Sequence, residues 1–523
     1  MWEIDFSAKA AVFAGTDFTV TAKLAGNGDG LANVGYIDAT AADGGTALDL
    51  GAVNVHGDLG RISAGTDAAA VLAVKSLGVS SMGRFALTTQ AAAGASLVSN
   101  IAGSLGMLAV KTDLLGAHVA VSSASAASGK IGAVNVGGSL IGTAPNDSGE
   151  LSSTGDMGSV TIGHDIVGGT GSSLAQIFAG GKLAGIAVGG SLLGSTGPGG
   201  GEILSGQNMG PVKIGGDVVG SGNSTGFITN QNGNIASVTI ASVTIGGRLA
   251  GDSDTDSGRI FSNNDLGVVK IGGDVISATG TGSGDIRAFG KLTGVSIGGD
   301  LLGGGGSESG RIFSHAKLGA LTINGSLLGG MGPHSGELTS NGDMGAVKIG
   351  HDMHGGSKAG SGSLEGHGKL AGVSIGGSLR GGSGDNSGEI FSFGNMGAVK
   401  IGHDLTGGSI TGSASLGSSG VIEISGRIFS VTLGGSIISG IDNSSGALSQ
   451  NATIRANNDL GSLTVAGSLI GNAGEGTPGN LSPVVISARG QAGPGATTDL
   501  ATGKISIGGR VEFAHIPTRR SAK

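Results

Sequence analysis

A short motif of alternating apolar residues followed by glycine recurs along this chain of 523 residues, and through the middle of the chain its period is 26 residues. The last apolar residue of each copy lies at Val110, Val136, Ile162, Val188 and Ile214 and, after one longer interval, at Ile245, Ile271, Ile297, Ile323, Ile349, Ile375 and Ile401. A fixed period in this range is typical of a solenoid, in which each repeat buries its apolar face only against its neighbours.

Within one repeat, the pattern predicts short β-strands separated by turns. Apolar and polar residues alternate in Leu266–Ile276, which is typical of a strand. A helix is disfavoured because 113 of the residues are glycine. Three columns stay apolar in the regular repeats, those of Leu266, Val269 and Ile271. We therefore predict an all-β fold, a single-stranded parallel β-helix (β-solenoid) of about 26 residues per coil, and a right-handed one because parallel crossovers are right-handed in nearly all proteins.

The regularity of the motif divides the sequence into four segments. We expect residues 1–105 to form irregular N-terminal coils or a cap, 106–410 to form the regular solenoid, 411–512 to continue it with longer loops, and 513–523 to be a C-terminal tail. The intervals between markers lengthen to 32, 32 and 42 residues after Ile401. The longer interval before Ile245 contains a duplication, because Ala236–Ile240 is copied in the next five residues.

Polar residues also recur in register. One column alternates in charge, and we expect it to face outward, with opposite charges meeting across neighbouring coils: Arg259, Asp285, Arg311, Glu337. A second column pairs Asp265 with Lys291 in the same way. The Asp or Ser that follows each glycine pair is expected to accept hydrogen bonds from backbone amides at the corner of the coil.

Composition argues against several functions. The net charge of -8 is spread along the chain without a basic stripe, which disfavours nucleic acid as a partner. The absence of cysteine excludes disulfides and thiol catalysis. No apolar run approaches the ~20 residues of a membrane-spanning helix. Met1–Asp5 lacks the features of an export signal, so we expect either a cytoplasmic protein or a segment of a longer secreted chain.

One loop has the composition of a cation site. Asp252, Asp254 and Asp256 alternate before a glycine, as in the first half of a calcium loop, but Asn263 stands where a bidentate Glu is expected. The alternative is a solvated acidic turn. We predict no catalytic residue and no cofactor besides this Ca²⁺. Three histidines share one column and are each followed by Asp, and they are either metal or base candidates or tolerated outward residues: His164, His351, His403.

The repeats Leu266–Val275 and Leu460–Leu469 resemble the glycine-rich β-strand repeats of very large bacterial surface and exported proteins, including adhesins and autotransporter passengers. The resemblance covers about residues 106–512 and implies a secreted or cell-surface location. We therefore expect a non-catalytic structural or adhesive protein of the cell surface or extracellular matrix, which presents loops to a surface glycan or protein and associates with itself through its end coils.

Two alternatives remain open. A polysaccharide-active β-helix enzyme, a lyase or a hydrolase, would need a groove where carboxylates converge with an Arg or Lys. The longer loops after Ile401 are the place where such a groove is expected, although aromatic residues for stacking on sugars are scarce at 3% of the chain. A filament or surface-layer component would assemble through open strand edges.

Overall fold

The structure, a computed structural model, describes residues 1–6, 10–23, 26, 28–40, 47–68, 71–90, 95–125, 128–143, 148–230, 240–245, 248–412, 415–444, 448–472, 482–490 and 501–516. The chain divides into two compact units, Met1–Gly247 with Asp256–Asn264 and Arg248–Thr255 with Asp265–Lys523. Both units consist almost wholly of strands that pair in parallel with the next coil, which confirms the predicted parallel β-solenoid. The hand of the coil stays a prediction.

One side of each coil is a strand, six residues long in the regular coils, and successive copies form the long-strand sheet. Its first, fourth and sixth residues are buried, as at Leu266, Val269 and Ile271, so the three apolar columns of the sequence form the interior. Each such aliphatic side chain contributes about 1.5–3 kcal/mol when fully buried. Its strands are Leu50–Ala64, Leu72–Met82, Ser104–Val110, Ile131–Val136, Met157–Ile162, Leu183–Val188, Met209–Ile214 and Ile240–Ile245 in the first unit, and Leu266–Ile271, Leu292–Ile297, Leu318–Ile323, Met344–Ile349, Leu370–Ile375, Met396–Ile401, Ile428–Leu433, Leu460–Val465 and Thr502–Ile507 in the second.

A two-residue strand follows each corner and forms the corner-strand sheet. Its first residue is buried, as at Val275. Its strands are Leu114–Leu115, Leu140–Ile141, Ile166–Val167, Leu192–Leu193 and Val218–Val219 in the first unit, and Leu249–Ala250, Val275–Ile276, Leu301–Leu302, Leu327–Leu328, Met353–His354, Leu379–Arg380, Leu405–Thr406, Ile437–Ile438, Leu469–Ile470 and Val511–Glu512 in the second.

A third strand closes each coil and forms the short-strand sheet. In the regular coils of the second unit the outer two residues are buried and the middle one is partly exposed, as in Ile312–Ser314. Its strands are Val34–Asp38, Val98–Ala102, His118–Ser122, Glu150–Ser153, Gln176–Ala179, Glu202–Ser205, Phe227–Asn230 and Ile260–Ser262 in the first unit, and Ile286–Ala288, Ile312–Ser314, Leu338–Ser340, Leu364–Gly366, Ile390–Ser392, Ile422–Ile424, Ile454–Ala456, Val484–Ala488 and Ala514–His515 in the second.

The register follows the spacing of the motif. Leu318 pairs with Met344, and Met344 with Leu370, as predicted. Across the duplication, Ile214 pairs with Ile245, while the first copy up to residue 239 lies outside the described residues. The extra residues of the later coils form two small parallel pairs, Ile410–Gly412 with Asp442–Ser444 and Leu416–Ser419 with Leu448–Asn451.

The first unit has four further elements near its start. These are the strands Glu3–Asp5 and Phe18–Val20, the short helix Ala10–Phe13 and the 3₁₀ turn Ala86–Thr89. No helix in the described part of the chain is long and apolar enough to cross a membrane.

Candidate functional site

In the second unit, a groove runs between the short-strand sheet and the glycine- and serine-rich loops that lead into its strands. These loops stack on one another through backbone hydrogen bonds. The amide of Glu308 donates to the carbonyl of Pro333 at 2.9 Å, that of His334 to Ala359 at 2.8 Å, and that of Gly360 to Asp385 at 2.9 Å. The loops therefore form a continuous wall along one side of the groove.

A buried serine fixes the shape of each of these loops. Ser335 accepts a hydrogen bond from the amide of Gly330 at 2.9 Å and donates to the carbonyl of Gly332 at 2.7 Å. The residue before it, His334, has a φ of 56°, which costs a residue other than glycine on the order of 1–3 kcal/mol. The wall residues at this register are Glu308, His334, Gly360, Asn386, Ser418 and Gln450.

The opposite side of the groove consists of two columns of the short-strand sheet. The bottom column comprises the residues that begin each strand or precede it: Asp285, Arg311, Glu337, Ser363, Glu389, Val421 and Thr453. The floor column comprises the residues in the middle of each strand, which are partly exposed except for the buried Thr339: Arg287, Phe313, Thr339, Glu365, Phe391, Glu423 and Arg455. The prediction that the charged column faces outward is wrong, because the loops cover it: Asp285 is 0% and Glu337 1% exposed.

Ion pairs fill one end of the groove. Arg311 pairs through Nε with Glu337 at 2.9 Å and through Nη1 with Glu308 at 2.9 Å, so the predicted pairing across neighbouring coils is confirmed for Arg311 and Glu337. His334 Nδ1 lies 3.2 Å from the same Glu337. Hydrogen bonding to Glu337 raises the pKa of His334, against the opposing effect of burial.

Arg287 extends this set of ion pairs to the preceding coil. Its Nε lies 3.0 Å from Asp285, and its guanidinium also contacts Glu308. Burial tends to raise the pKa of Glu308, but the two arginines outweigh it and hold that pKa below its usual range. Phe313 lies between Arg287 and Arg311, whose guanidinium carbons are 5.4 and 4.7 Å from its ring centre.

The groove opens where its residues become small. Gly360 stands in the wall and Ser363 in the bottom column, in place of the long charged side chains of the preceding coil. A cavity of about 530 Å³ lies there, which we call the acidic cavity because four glutamates line it. It is lined by His334, Glu337, Ala359, Gly360, Ser363, Leu364, Glu365, Asn386, Glu389, Phe391, Gly417, Ser418, Glu423, Ser449 and Gln450.

Glu389 differs from the other carboxylates of the acidic cavity. It is 8% exposed, and no Lys, Arg or His of the described residues lies within ion-pair distance of it. Burial, and next the negative charges of Glu423 and Glu365, raise its pKa to about 7, although a hydrogen bond with Ser418 acts in the opposite direction. Its carboxyl group is therefore largely protonated up to neutral pH.

The two neighbouring glutamates have cationic partners. Glu365 lies 3.0 Å from His367 Nε2, and Glu423 lies 3.5 Å from Arg455 Nη1. With its amide oriented to satisfy both groups, Gln450 donates to Glu423 at 3.0 Å and accepts from Arg455 at 3.2 Å. The cavity thus places one buried acid of raised pKa between two carboxylates that have basic partners.

Aromatic rings flank the same cavity. Phe391 lies in the floor column, one coil from Glu365 and one from Glu423. Its ring packs edge-on against Phe393 at 4.7 Å, and His367 packs edge-on against Phe393 at 5.1 Å. Phe393 is 54% exposed. Although aromatic residues are few, these rings provide an apolar surface beside the carboxylates.

A second cavity of about 650 Å³ continues the groove, and we call it the basic cavity. It shares Ser449 and Gln450 with the acidic cavity, so the two are contiguous. Its remaining lining residues are Thr453, Arg455, Val485, Ser487, Ala488, Arg489 and His515. The charge of the groove therefore changes sign along its length.

The Asp and Ser column at the corners is structural, as predicted. Asp352 Oδ1 accepts the amide of Ser378 at 2.7 Å, and Ser378 Oγ accepts the amide of Asp404 at 3.4 Å. Asp265 and Lys291 also meet, but the carboxylate accepts the backbone amide of Lys291 at 2.7 Å. We call the Asp and Ser column the corner ladder.

The corner ladder explains the histidine column. A Cβ built on Gly377 would overlap the carboxylate of Asp352, the ladder residue one coil back. In contrast, His403 follows Ser378 by one coil and His164 follows Ser139, and the ladder bonds at those places lengthen to 3.4 and 3.3 Å. A Cβ on Gly216 would still lie 2.4 Å from Ser191 Oγ, so a serine must also give way for a side chain to fit, and the longer bonds at His403 and His164 show that shift. All three histidines are exposed to solvent.

The calcium candidates remain a prediction. Asp252 Oδ1 accepts the amide of Ser253 at 2.7 Å, and Asp256 pairs with Arg259 at 2.6 Å. Among the residues that the structure describes, no three His, Asp or Glu side chains are grouped so as to hold a metal ion.

The first unit contains a second set of polar side chains, on its short-strand sheet. His118 Nε2 lies 2.7 Å from Ser152 Oγ and 3.6 Å from Glu150. A catalytic triad needs the base to contact the nucleophile and the acid through different ring nitrogens. Here one nitrogen faces both, so the arrangement is a hydrogen-bonded cluster rather than a relay.

None of the groove residues Glu365, Glu389, Glu423 and Arg455 was predicted from the sequence. Comparing the middle positions of successive short strands would have grouped Glu365, Phe391, Glu423 and Arg455, since they recur in register.

No family model, curated protein or solved structure matches this chain. Function is therefore inferred from the groove itself.

Proposed function

We propose that the second unit binds a polysaccharide chain in the groove, and that this binding serves adhesion at the cell surface or in an extracellular matrix. The observation that carries the proposal is the continuity of the two cavities across several coils. An extended polymer needs such an open, elongated site, whereas a small ligand is usually enclosed.

The chemistry of the lining supports a sugar ligand. Carboxylates, the Gln450 amide, the Asn386 amide and the Ser418 hydroxyl offer acceptors and donors for sugar hydroxyls. Phe391 and the exposed Phe393 offer the apolar surface on which the C–H face of a sugar ring packs. The resemblance of the repeats to those of bacterial surface proteins supports the proposed location.

Closing the acidic cavity tests this proposal. Ser363→Arg places in the bottom column the same side chain that fills the groove at Arg311, and Ala320→Arg adds the same charge to the exposed side of the long-strand sheet. In titration calorimetry against soluble neutral and uronate-bearing polysaccharides, we expect Ser363→Arg to weaken binding at least about tenfold and Ala320→Arg to leave it unchanged. Equal affinities for the two variants, or no binding by the parent protein, would overturn the proposal.

A second candidate function, hydrolysis of the bound glycan, is favoured by the placement of Glu389. A buried acid whose pKa is raised to about 7, with further carboxyl groups beside it, is the arrangement used for glycosidic cleavage. Glu389 would donate its proton to the leaving oxygen as the glycosidic bond breaks. Glu365 or Glu423 would take the proton of the water that attacks the anomeric carbon.

Glu389 lies between the two candidate bases in the sheet. Glu365 and Glu423 are two strands apart in the floor column, about 10 Å between their Cα atoms. Glu389 directly precedes the strand between them, Ile390–Ser392. Inverting enzymes hold the acid and the base about 6.5–9.5 Å apart and retaining enzymes about 5–5.5 Å apart, so the anomeric configuration of the product would report the distance at which Glu389 and its partner act.

The chain provides a matched control for hydrolysis. Glu202 occupies the equivalent column of the first unit, is also buried, and its pKa is likewise raised to about 7 by burial. We expect Glu389→Gln to slow the release of reducing ends at least about 100-fold, and Glu202→Gln to leave the rate unchanged. The hydrolysis proposal fails if the parent releases no reducing ends or if Glu389→Gln retains the parent rate.

A further inference from the structure

The basic cavity is lined by cations that are not all committed to partners. Arg455 is held by Glu423 and Gln450. Arg489 and His515, in contrast, have no carboxylate within 4.0 Å among the described residues, and both are exposed to solvent.

The backbone places both side chains on the last two strands of the short-strand sheet. Arg489 directly follows the strand Val484–Ala488, and its amide donates to the carbonyl of Ala456 at 3.3 Å. His515 pairs in register with Val485, near the start of that strand. The two strands thus bring an arginine and a histidine to opposite sides of one cavity, where Ser487 adds a hydroxyl group.

We infer that the basic cavity is an anion subsite, which takes a carboxylate or sulfate ester carried by one sugar of the bound chain. The inference rests on the proposed polysaccharide function and assigns the charge of its ligand. A guanidinium with free donors is the side chain best suited to bind a planar carboxylate or a sulfate in two-point fashion. The hydroxyl group of Ser487 supplies a further donor.

The acidic cavity restricts which anionic chains fit. Glu337, Glu365, Glu389 and Glu423 line it, so an anionic sugar placed there would lie among acidic side chains, which repel it when ionised. The best ligand is therefore a chain that alternates neutral and anionic sugars, with a neutral sugar beside Glu389 and an anionic one beside Arg489. A homopolymer of uronate would place a carboxylate in both cavities and bind more weakly.

Matched oligosaccharides test the subsite. The probes are a hexasaccharide that alternates uronate and N-acetylhexosamine, its carboxyl-reduced neutral twin, its sulfated form and a hexagalacturonate. The alternating chain is expected to bind about tenfold more tightly than its neutral twin, since a charge-assisted hydrogen bond is worth about that factor. Hexagalacturonate is expected to bind more weakly than the alternating chain, and a preference for the sulfated form over the carboxylate form would identify the sulfate ester as the anion.

Variants assign the effect to the cavity. Arg489→Gln is expected to remove the tenfold preference for the charged chain, whereas Arg380→Gln, which changes an exposed arginine of the corner-strand sheet, keeps it. A measurement on the unchanged protein gives the same test: affinity for the alternating chain falls as NaCl increases, and affinity for the neutral twin does not.

The outcomes separate the two proposals. Equal affinity for the charged chain and its neutral twin, with no salt dependence, overturns the anion subsite and leaves polysaccharide binding in place. Tighter binding of hexagalacturonate than of the alternating chain overturns the assigned ligand. If neither the neutral twin nor any charged chain binds, the polysaccharide function fails and the subsite fails with it.

Discussion

The corner ladder and the groove are built from the same coils but use their side chains differently. In the ladder, Asp and Ser residues such as Asp352 and Ser378 accept a backbone amide of the next coil, so the two residue types are interchangeable parts of one pattern. In the groove, neighbouring coils carry unlike residues, such as Arg311, Ser363 and Glu389, at one column. Periodic side chains hold the coils together, whereas the departures from the period create the cavities.

The largest effect is expected where the groove contributes to stability. Glu337→Ala removes the carboxylate that Arg311 and His334 share and leaves Arg311 with Glu308 alone. Breaking a buried ion pair by removing one partner costs about 3–5 kcal/mol, and the remaining pair places this variant near the lower figure. The measurement is the urea midpoint of unfolding.

A double variant is the control for that prediction. Arg311→Leu together with Glu337→Leu removes both charges and keeps apolar volume in the groove, so we expect it to recover much of the loss. A double variant as unstable as Glu337→Ala would show that packing, rather than the unpaired charge, is responsible.

The next-largest effect on the free energy of unfolding depends on pH, and here the substitution increases stability instead of decreasing it. Because the pKa of Glu389 is raised from 4.5 to about 7, the unfolded chain ionises at this residue before the folded protein does. Stability is therefore lost between about pH 4.5 and 7, by on the order of 3 kcal/mol above pH 7. Glu389→Gln should be more stable than the parent at pH 8 and equal to it at pH 4.

Calorimetric melting temperatures across this pH range provide the test. Glu202→Gln should behave in the same way, because burial raises the pKa of Glu202 to about 7 as well. A parent protein whose melting temperature does not fall relative to either variant as pH rises would contradict the assigned protonation states.

Substitutions in the corner ladder should change the free energy of unfolding less. Asp352→Ala leaves the amide of Ser378 without its partner and is expected to cost about 1 kcal/mol. Asp352→Ser retains an acceptor, as Ser378 does one coil later, and should cost less than half as much. If both variants lose the same free energy of unfolding in urea, Asp352 does not stabilise the protein through its ladder hydrogen bond.

The smallest effect is expected at His334. Its pKa is raised, chiefly by hydrogen bonding to Glu337, so its stabilising contribution is present below about pH 6.5 and is lost as the pH rises through the raised pKa. His334→Asn keeps a residue that tolerates this backbone conformation, as Asn386 does in the equivalent loop. The difference in melting temperature between the parent and this variant should shrink from pH 6 to pH 9.

The fold was predictable from the sequence because its signals are periodic. The columns of Leu266, Val269 and Ile271 give the core, and the spacing gives the pairing of Leu318 with Met344. The role of the ladder followed from the hydrogen-bonding preferences of Asp and Ser in turns.

The sequence predicted where a groove would lie, but not which residues would line it. The expected place, near the longer loops after Ile401, is where Ser418 and Gln450 extend the wall. The sequence does not show that the loops cover the charged column and bury it. Burial of Glu337 and Glu389 depends on contacts between distant residues, and the opening depends on two ordinary small residues, Gly360 and Ser363.

The spacing of the coils has a consequence for any polymer that lies along the wall. Equivalent backbone atoms of successive coils are about 4.8 Å apart, a step comparable with the length of one sugar ring in an extended chain. A polysaccharide whose sugars repeat at that distance can shift by one coil and meet the same backbone geometry again. The probability that the wall binds such a polymer therefore increases in proportion to the number of equivalent positions. Only the coils around Gly360 and Ser363, whose side chains differ from those of their neighbours, select one of these positions.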